Sequence, residues 1–87
     1  MNFERLFAKL SANPAKVRLR PLTKLMELAG FRAEFGRGDM AIFTHPDSVV
    51  LPMVRKPSRF GYVEQAYVLQ CLNAAQDMKL REERTDA

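Results

Sequence analysis

Few side chains in this sequence are candidates for acid–base or nucleophilic chemistry at neutral pH: there is one histidine and one cysteine. The single histidine, His45, stands directly before Pro46-Asp47, where an imidazole is a candidate general acid or base. Such a group needs a nucleophile or a substrate partner, and spacing names none. Asp47 and Ser48 lie too close along the chain to complete a triad, and no G-x-S-x-G elbow accompanies them. The simpler reading of His45 is a turn residue. Gly36-Arg37-Gly38 has glycine spacing but lacks the third glycine and the following helix of a phosphate-binding loop, so it reads as a hairpin turn. Cys71 is alone, so it closes no disulfide within the chain, and it has no partner at metal-ligand spacing. It reads as a small core residue, and neither a metal nor a cofactor is expected.

The cations are more informative. The chain carries a net charge of +4, but residues 1–60 hold 11 Lys and Arg against 5 Asp and Glu, whereas residues 61–87 hold 3 against 5. Lys16, Arg18 and Arg20 precede a helical segment, Arg32 and Arg37 flank the hairpin turn, and Arg55, Lys56 and Arg59 follow the third apolar stretch. If these clusters converge, Arg18, Arg37, Arg55, Lys56 and Arg59 are placed to contact successive phosphates of an RNA backbone. If they do not, they are an ordinary solvated rim. Phe31, Phe35 and Phe43 recur at strand spacing, so they are expected in the core and not as stacking platforms.

These groups must be held by one small domain, because 87 residues with 47% hydrophobic content leave room for a single core. Phe3, Leu6, Phe7 and Leu10 share one face of a helix that Asn2 can cap and that Asn13-Pro14 ends. Leu22, Leu25 and Met26 mark a second helix over residues 20–29, stopped by Gly30. Alternation at Phe31, Ala33 and Phe35 gives a first strand, Met40 to His45 a second, and Val49 to Val54 a third with Pro52 at an edge. Ser58 can cap a last helix from Arg59 to Leu80, with Val63, Tyr67, Cys71, Ala74, Ala75 and Met78 on its covered side. Tyr62, Ala66 and Leu69 project the other way and are candidates for a partner surface, a second copy of the chain among them. The expected fold is α+β, a three-stranded antiparallel meander with helices on one face and an extra N-terminal helix. Residues 1–80 form the domain and 81–87 a disordered tail. No apolar run approaches the roughly 20 residues of a membrane helix, and Met1-Asn2-Phe3-Glu4-Arg5 lacks a secretion signal, so a cytoplasmic protein without membrane contact is expected.

The middle of the chain resembles the HicA family of small bacterial toxins, which cleave mRNA on a fold like that of double-stranded-RNA-binding domains. Leu22, Leu25 and Gly30-Phe31 sit as in that family's first helix and its exit. Gly38-Asp39-Met40-Ala41-Ile42-Phe43-Thr44-His45-Pro46 and Val49-Val50-Leu51-Pro52 resemble the family's G-S-H-x-x-F-x-H-P and V-x-V-P. The resemblance covers residues 17–72. It implies RNA as a ligand and a HicB-like antitoxin as a protein partner. The family's catalytic histidine falls at Met40, whose thioether can neither take nor give a proton. The second family histidine aligns with His45, which leaves an active ribonuclease using His45 as the alternative to a domain that keeps the binding surface with weak or absent cleavage.

Overall fold

The computed structural model describes residues 2–36 and 38–85. Three helices and a three-stranded antiparallel sheet follow one another as α1 (Phe3–Ala12), a 3-10 turn (Pro14–Lys16), α2 (Leu19–Leu28), β1 (Arg32–Phe35), β2 (Met40–Thr44), β3 (Met53–Arg55) and α3 (Gln65–Thr85). This is the α+β meander expected, with strand order β1-β2-β3.

Local chemistry explains most boundaries. Asn2 accepts the Arg5 N–H at 2.9 Å through its side chain and so caps α1. The exit of α2 is a Schellman motif: the Gly30 N–H donates to Glu27 and the Phe31 N–H to Met26, with Gly30 at φ 92°. The strands register with Ala33 opposite Phe43, Phe35 opposite Ala41, and Ala41 opposite Val54. Ala41, Phe43 and Val54 are fully buried. Their alternation partners Met40, Ile42, Thr44, Met53 and Arg55 remain on the other side of the sheet. Helices α2 and α3 pack against the inner face, on β1 and β3 respectively, and α1 packs on α2. Leu6, Leu10, Leu22, Leu25, Met26, Val68, Cys71, Leu72, Ala75 and Met78 complete the core from the helices.

Two elements differ from expectation, the last helix at both of its ends. The third strand begins at Met53, not Val49. The Ser48 hydroxyl donates to the Val50 carbonyl at 2.9 Å and accepts the Val50 N–H at 3.2 Å, a local turn that competes with the ladder. The last helix begins at Gln65, not Arg59, and Ser58 does not cap it. Ser58 to Gly61 form a turn closed by the Gly61 N–H on the Ser58 carbonyl, and the Val63 N–H is drawn off to the Val17 carbonyl at 2.8 Å. Glu64 then accepts the first helical N–H groups, from Tyr67 and Val68. The helix runs past Leu80 to Thr85, where a disordered tail was expected; Asp77–Arg81 and Lys79–Glu82 ion pairs, both at 3.2 Å, brace that last stretch. Asp86 and Ala87 lie outside the described residues.

Candidate nucleic-acid interface

Helix α2 buries Leu22, Leu25 and Met26, so its opposite side presents Arg20, Lys24 and Glu27 at i, i+4 and i+7. The turn-rich segment 57–61 folds back towards this side because Val63 is tied to Val17. Between them lies a cleft of about 840 Å³ lined by Arg18 to Pro21, Thr23, Lys24, Glu27, Phe35, Pro57 to Arg59 and Gly61. Leu19, Pro21, Phe35 and Pro57 give it apolar walls. Arg18, Arg20, Lys24 and Arg59 supply positive charge against the single carboxylate of Glu27.

Three of the cations at or beside this cleft, Arg18, Arg59 and Lys56, make contacts other than ion pairs. The Arg18 guanidinium donates to the Phe60 carbonyl at 3.1 Å and lies 5.0 Å from the centroid of the Tyr62 ring. Arg59 lies 5.4 Å from the Phe60 ring centroid, and Lys56 lies 5.7 Å from that of Phe35. Among the described residues, none of Arg18, Arg20, Lys24, Lys56 and Arg59 makes a salt bridge. Their charge is therefore not neutralised by neighbouring carboxylates, and it is available to an anion. The Thr23 hydroxyl at the same cleft is buried and has no hydrogen-bond partner among the described residues.

The five expected RNA contacts therefore separate. Arg18 and Arg59 meet at one cleft, and Lys56 stands beside its aromatic wall. Arg55 points to the outer side of the sheet, where it pairs with Asp39 at 3.7 Å and lies opposite Met40. Arg37 lies outside the described residues. Arg20 and Lys24 are additions that the i, i+4 spacing makes legible once α2 is in phase. Phe35 corrects the expectation that all three strand phenylalanines are core: Phe31 and Phe43 are buried, but Phe35 is 55% exposed. It is the last residue of β1, next to Gly36, where the helical layer no longer covers the sheet.

The expected partner face is also redistributed. Tyr62 precedes α3 and lies under Arg18, so it does not continue the helical stripe with Ala66 and Leu69; all three are exposed. A larger apolar exposure lies in the loop between β2 and β3, where Val49 is 99% exposed and Val50 and Leu51 about half.

His45 sits elsewhere, half-buried in a second cleft with Glu27, Gly30, Met78, Arg81 and Glu82. Its Nδ1 accepts the Asp47 N–H at 3.0 Å, which assigns the remaining proton of a neutral ring to Nε2. Its ring meets Phe31 edge to face at 5.0 Å and abuts Gly30. These contacts pack it between the exit of α2 and the end of β2. Burial pushes the Cys71 thiol up to about 12, which removes it as a nucleophile at neutral pH. Among the described residues no group of three or more His, Cys, Asp or Glu side chains is placed to hold a metal ion, and no helix is long and apolar enough to cross a membrane. Comparison with family profiles, with curated proteins and with solved structures gave no match to the chain.

Proposed function

We propose that the chain is a HicA-like RNA-binding domain of a toxin-antitoxin-type system with weak or no ribonuclease activity. The observation that carries this reading is the cleft at the start of α2, where Arg18, Arg20, Lys24 and Arg59, with Lys56 beside Phe35, face a single carboxylate. Phosphate contacts of this kind release counterions, so affinity falls with a slope of about −0.7 per contact in log salt for a single strand. Three to five contacts predict a slope of about −2 to −3.5. A titration of labelled RNA at several salt concentrations tests it, and binding indifferent to salt would refute the electrostatic reading.

Absent or weak cleavage is supported by Met40 at the position of the family's catalytic histidine and by the packing of His45 against Gly30 and Phe31. The rival, an mRNA interferase using His45, predicts growth arrest and mRNA loss in a bacterial host that His45→Ala abolishes. A second reading, a protein-binding module that takes a HicB-like antitoxin or a second copy, is favoured by the exposed Val49, Val50, Leu51 and Met53. It predicts association, read by sedimentation, that a Val50→Asp substitution removes while RNA binding persists.

A further inference from the structure

We infer that the cleft between α2 and the 57–61 turn is a base-binding subsite for single-stranded RNA, with Phe35 as the stacking residue and Arg18, Arg20, Lys24 and Arg59 on the backbone phosphates. The inference rests on the RNA-binding reading above and narrows it to one class of RNA.

Phe35 is the first observation. Its Cα partner across the ladder is the fully buried Ala41, so its side chain leaves the sheet on the helix side, yet 55% of it stays exposed. An aromatic residue that exposed, with Lys56 over its ring and four more cations lining the cleft, leaves apolar surface open within a basic rim. Lys56 lies 5.7 Å from the ring centroid and marks it as one end of that rim.

The shape of the site is the second. A cleft of about 840 Å³ walled by Leu19, Pro21, Phe35 and Pro57 falls within the roughly 300–1,000 Å³ of sites that enclose small organic groups. The cleft has room for a nucleotide and more, and its apolar walls suit the face of a base, whereas a lone phosphate would leave those walls wet. In an A-form duplex the base faces are stacked on one another and only edges, sugars and phosphates are presented. A duplex can therefore bring phosphates to Arg18 and Arg59 but cannot lay a base on Phe35. An unpaired nucleotide offers both at once, its face to the ring and its phosphates to the rim.

The third is preorganisation. Arg18 is held by the Phe60 carbonyl and the Tyr62 ring, so its guanidinium is already fixed when the ligand arrives, and little side-chain entropy remains to be lost.

The test is fluorescence anisotropy with two labelled probes, an unstructured strand of A and C alone of about ten nucleotides and a blunt RNA duplex of about 16 base pairs. Wild type binds the strand at least tenfold more tightly than the duplex. Phe35→Ala weakens strand binding about tenfold, as loss of one stacked base does, and leaves duplex binding unchanged; Phe35→Tyr, which keeps the ring, restores the strand affinity. Arg59→Gln weakens both probes and lowers the salt slope. Circular dichroism of each variant confirms the fold, which the exposure of Phe35 leaves intact. Equal affinity for both probes, or no effect of Phe35→Ala on the strand, overturns the stacking subsite while leaving RNA binding in place. Failure of both probes to bind at low salt overturns the RNA-binding reading itself.

Discussion

Substituting Gly30 by alanine isolates what His45 does in this fold. Gly30 occupies φ 92°, where an L side chain is strained, and a Cβ built there lies 2.8 Å from His45 Nε2 and 3.2 Å from its Cδ2. Two costs follow. The backbone cost is about 1–3 kcal/mol for holding a non-glycine residue in that region. The steric cost is a further ~1–3 kcal/mol, because the imidazole is anchored by the Asp47 N–H and by Phe31 and cannot swing clear without losing both. Gly30→Ala therefore destabilises by about 2–5 kcal/mol in the wild-type background. His45→Ala alone forfeits the ring contact with Phe31, about 1–2 kcal/mol, while water replaces the acceptor for the exposed Asp47 amide. In the double variant the clash is gone and only the backbone cost remains, so the cycle shows a favourable coupling of about 1–3 kcal/mol. Urea unfolding of the four proteins, with ΔG from linear extrapolation, reads it directly. Additive costs within about 0.5 kcal/mol would refute the packing of His45 on Gly30, and with it the argument that places this histidine in a structural role.

Other outcomes follow from single buried groups. The unfolded Cys71 thiol ionises from about pH 9, while the folded one stays protonated up to about 12. The unfolded state thus sheds its proton first, and stability falls as pH rises across that window by at most ~1.4 kcal/mol per unit; urea midpoints at pH 8 and pH 10 should converge on one another in Cys71→Ala more than in wild type. The same thiol stays unlabelled by a thiol reagent in the native protein and reacts in step with unfolding. Thr23→Val removes a hydroxyl that has no partner among the described residues, so it is neutral or stabilising by up to about 1 kcal/mol; a loss above that would mean the hydroxyl is satisfied. Asn2→Ala costs about 1 kcal/mol through the cap of α1, seen as a lower melting temperature.

The periodic elements were legible because the core is built on them. Leu22, Leu25 and Met26 on α2, Ala41 and Phe43 on β2, and Val68, Cys71, Leu72, Ala75 and Met78 on α3 all sit where helical or alternating spacing puts them. The misplaced boundaries belong to residues whose bonding partners are not periodic. Ser48 folds back on Val50 and delays β3, and Val63 answers to Val17, 46 positions upstream, which delays α3. The cleft was half legible for the same reason. Arg18 and Arg59 stand out as cations, but their meeting depends on the Val17–Val63 link, and the exposure of Phe35 depends on where the helical layer ends, which strand alternation does not encode.

Pro52 has a consequence for association of the chain with itself. It is fully buried, and its carbonyl accepts the Phe43 N–H at 2.9 Å, so it belongs to the β2 side of the sheet while offering no donor of its own. Val49 to Val54 is otherwise the kind of uncharged, β-branched hexapeptide that stacks into cross-β fibrils, and it borders the open edge of β3. A proline in that segment interrupts any continuous ladder along it, and Arg55 and Lys56 place two positive charges at its end. Pro52, Arg55 and Lys56 thus guard the sheet edge beside the exposed Val49 and Val50 against templated strand addition.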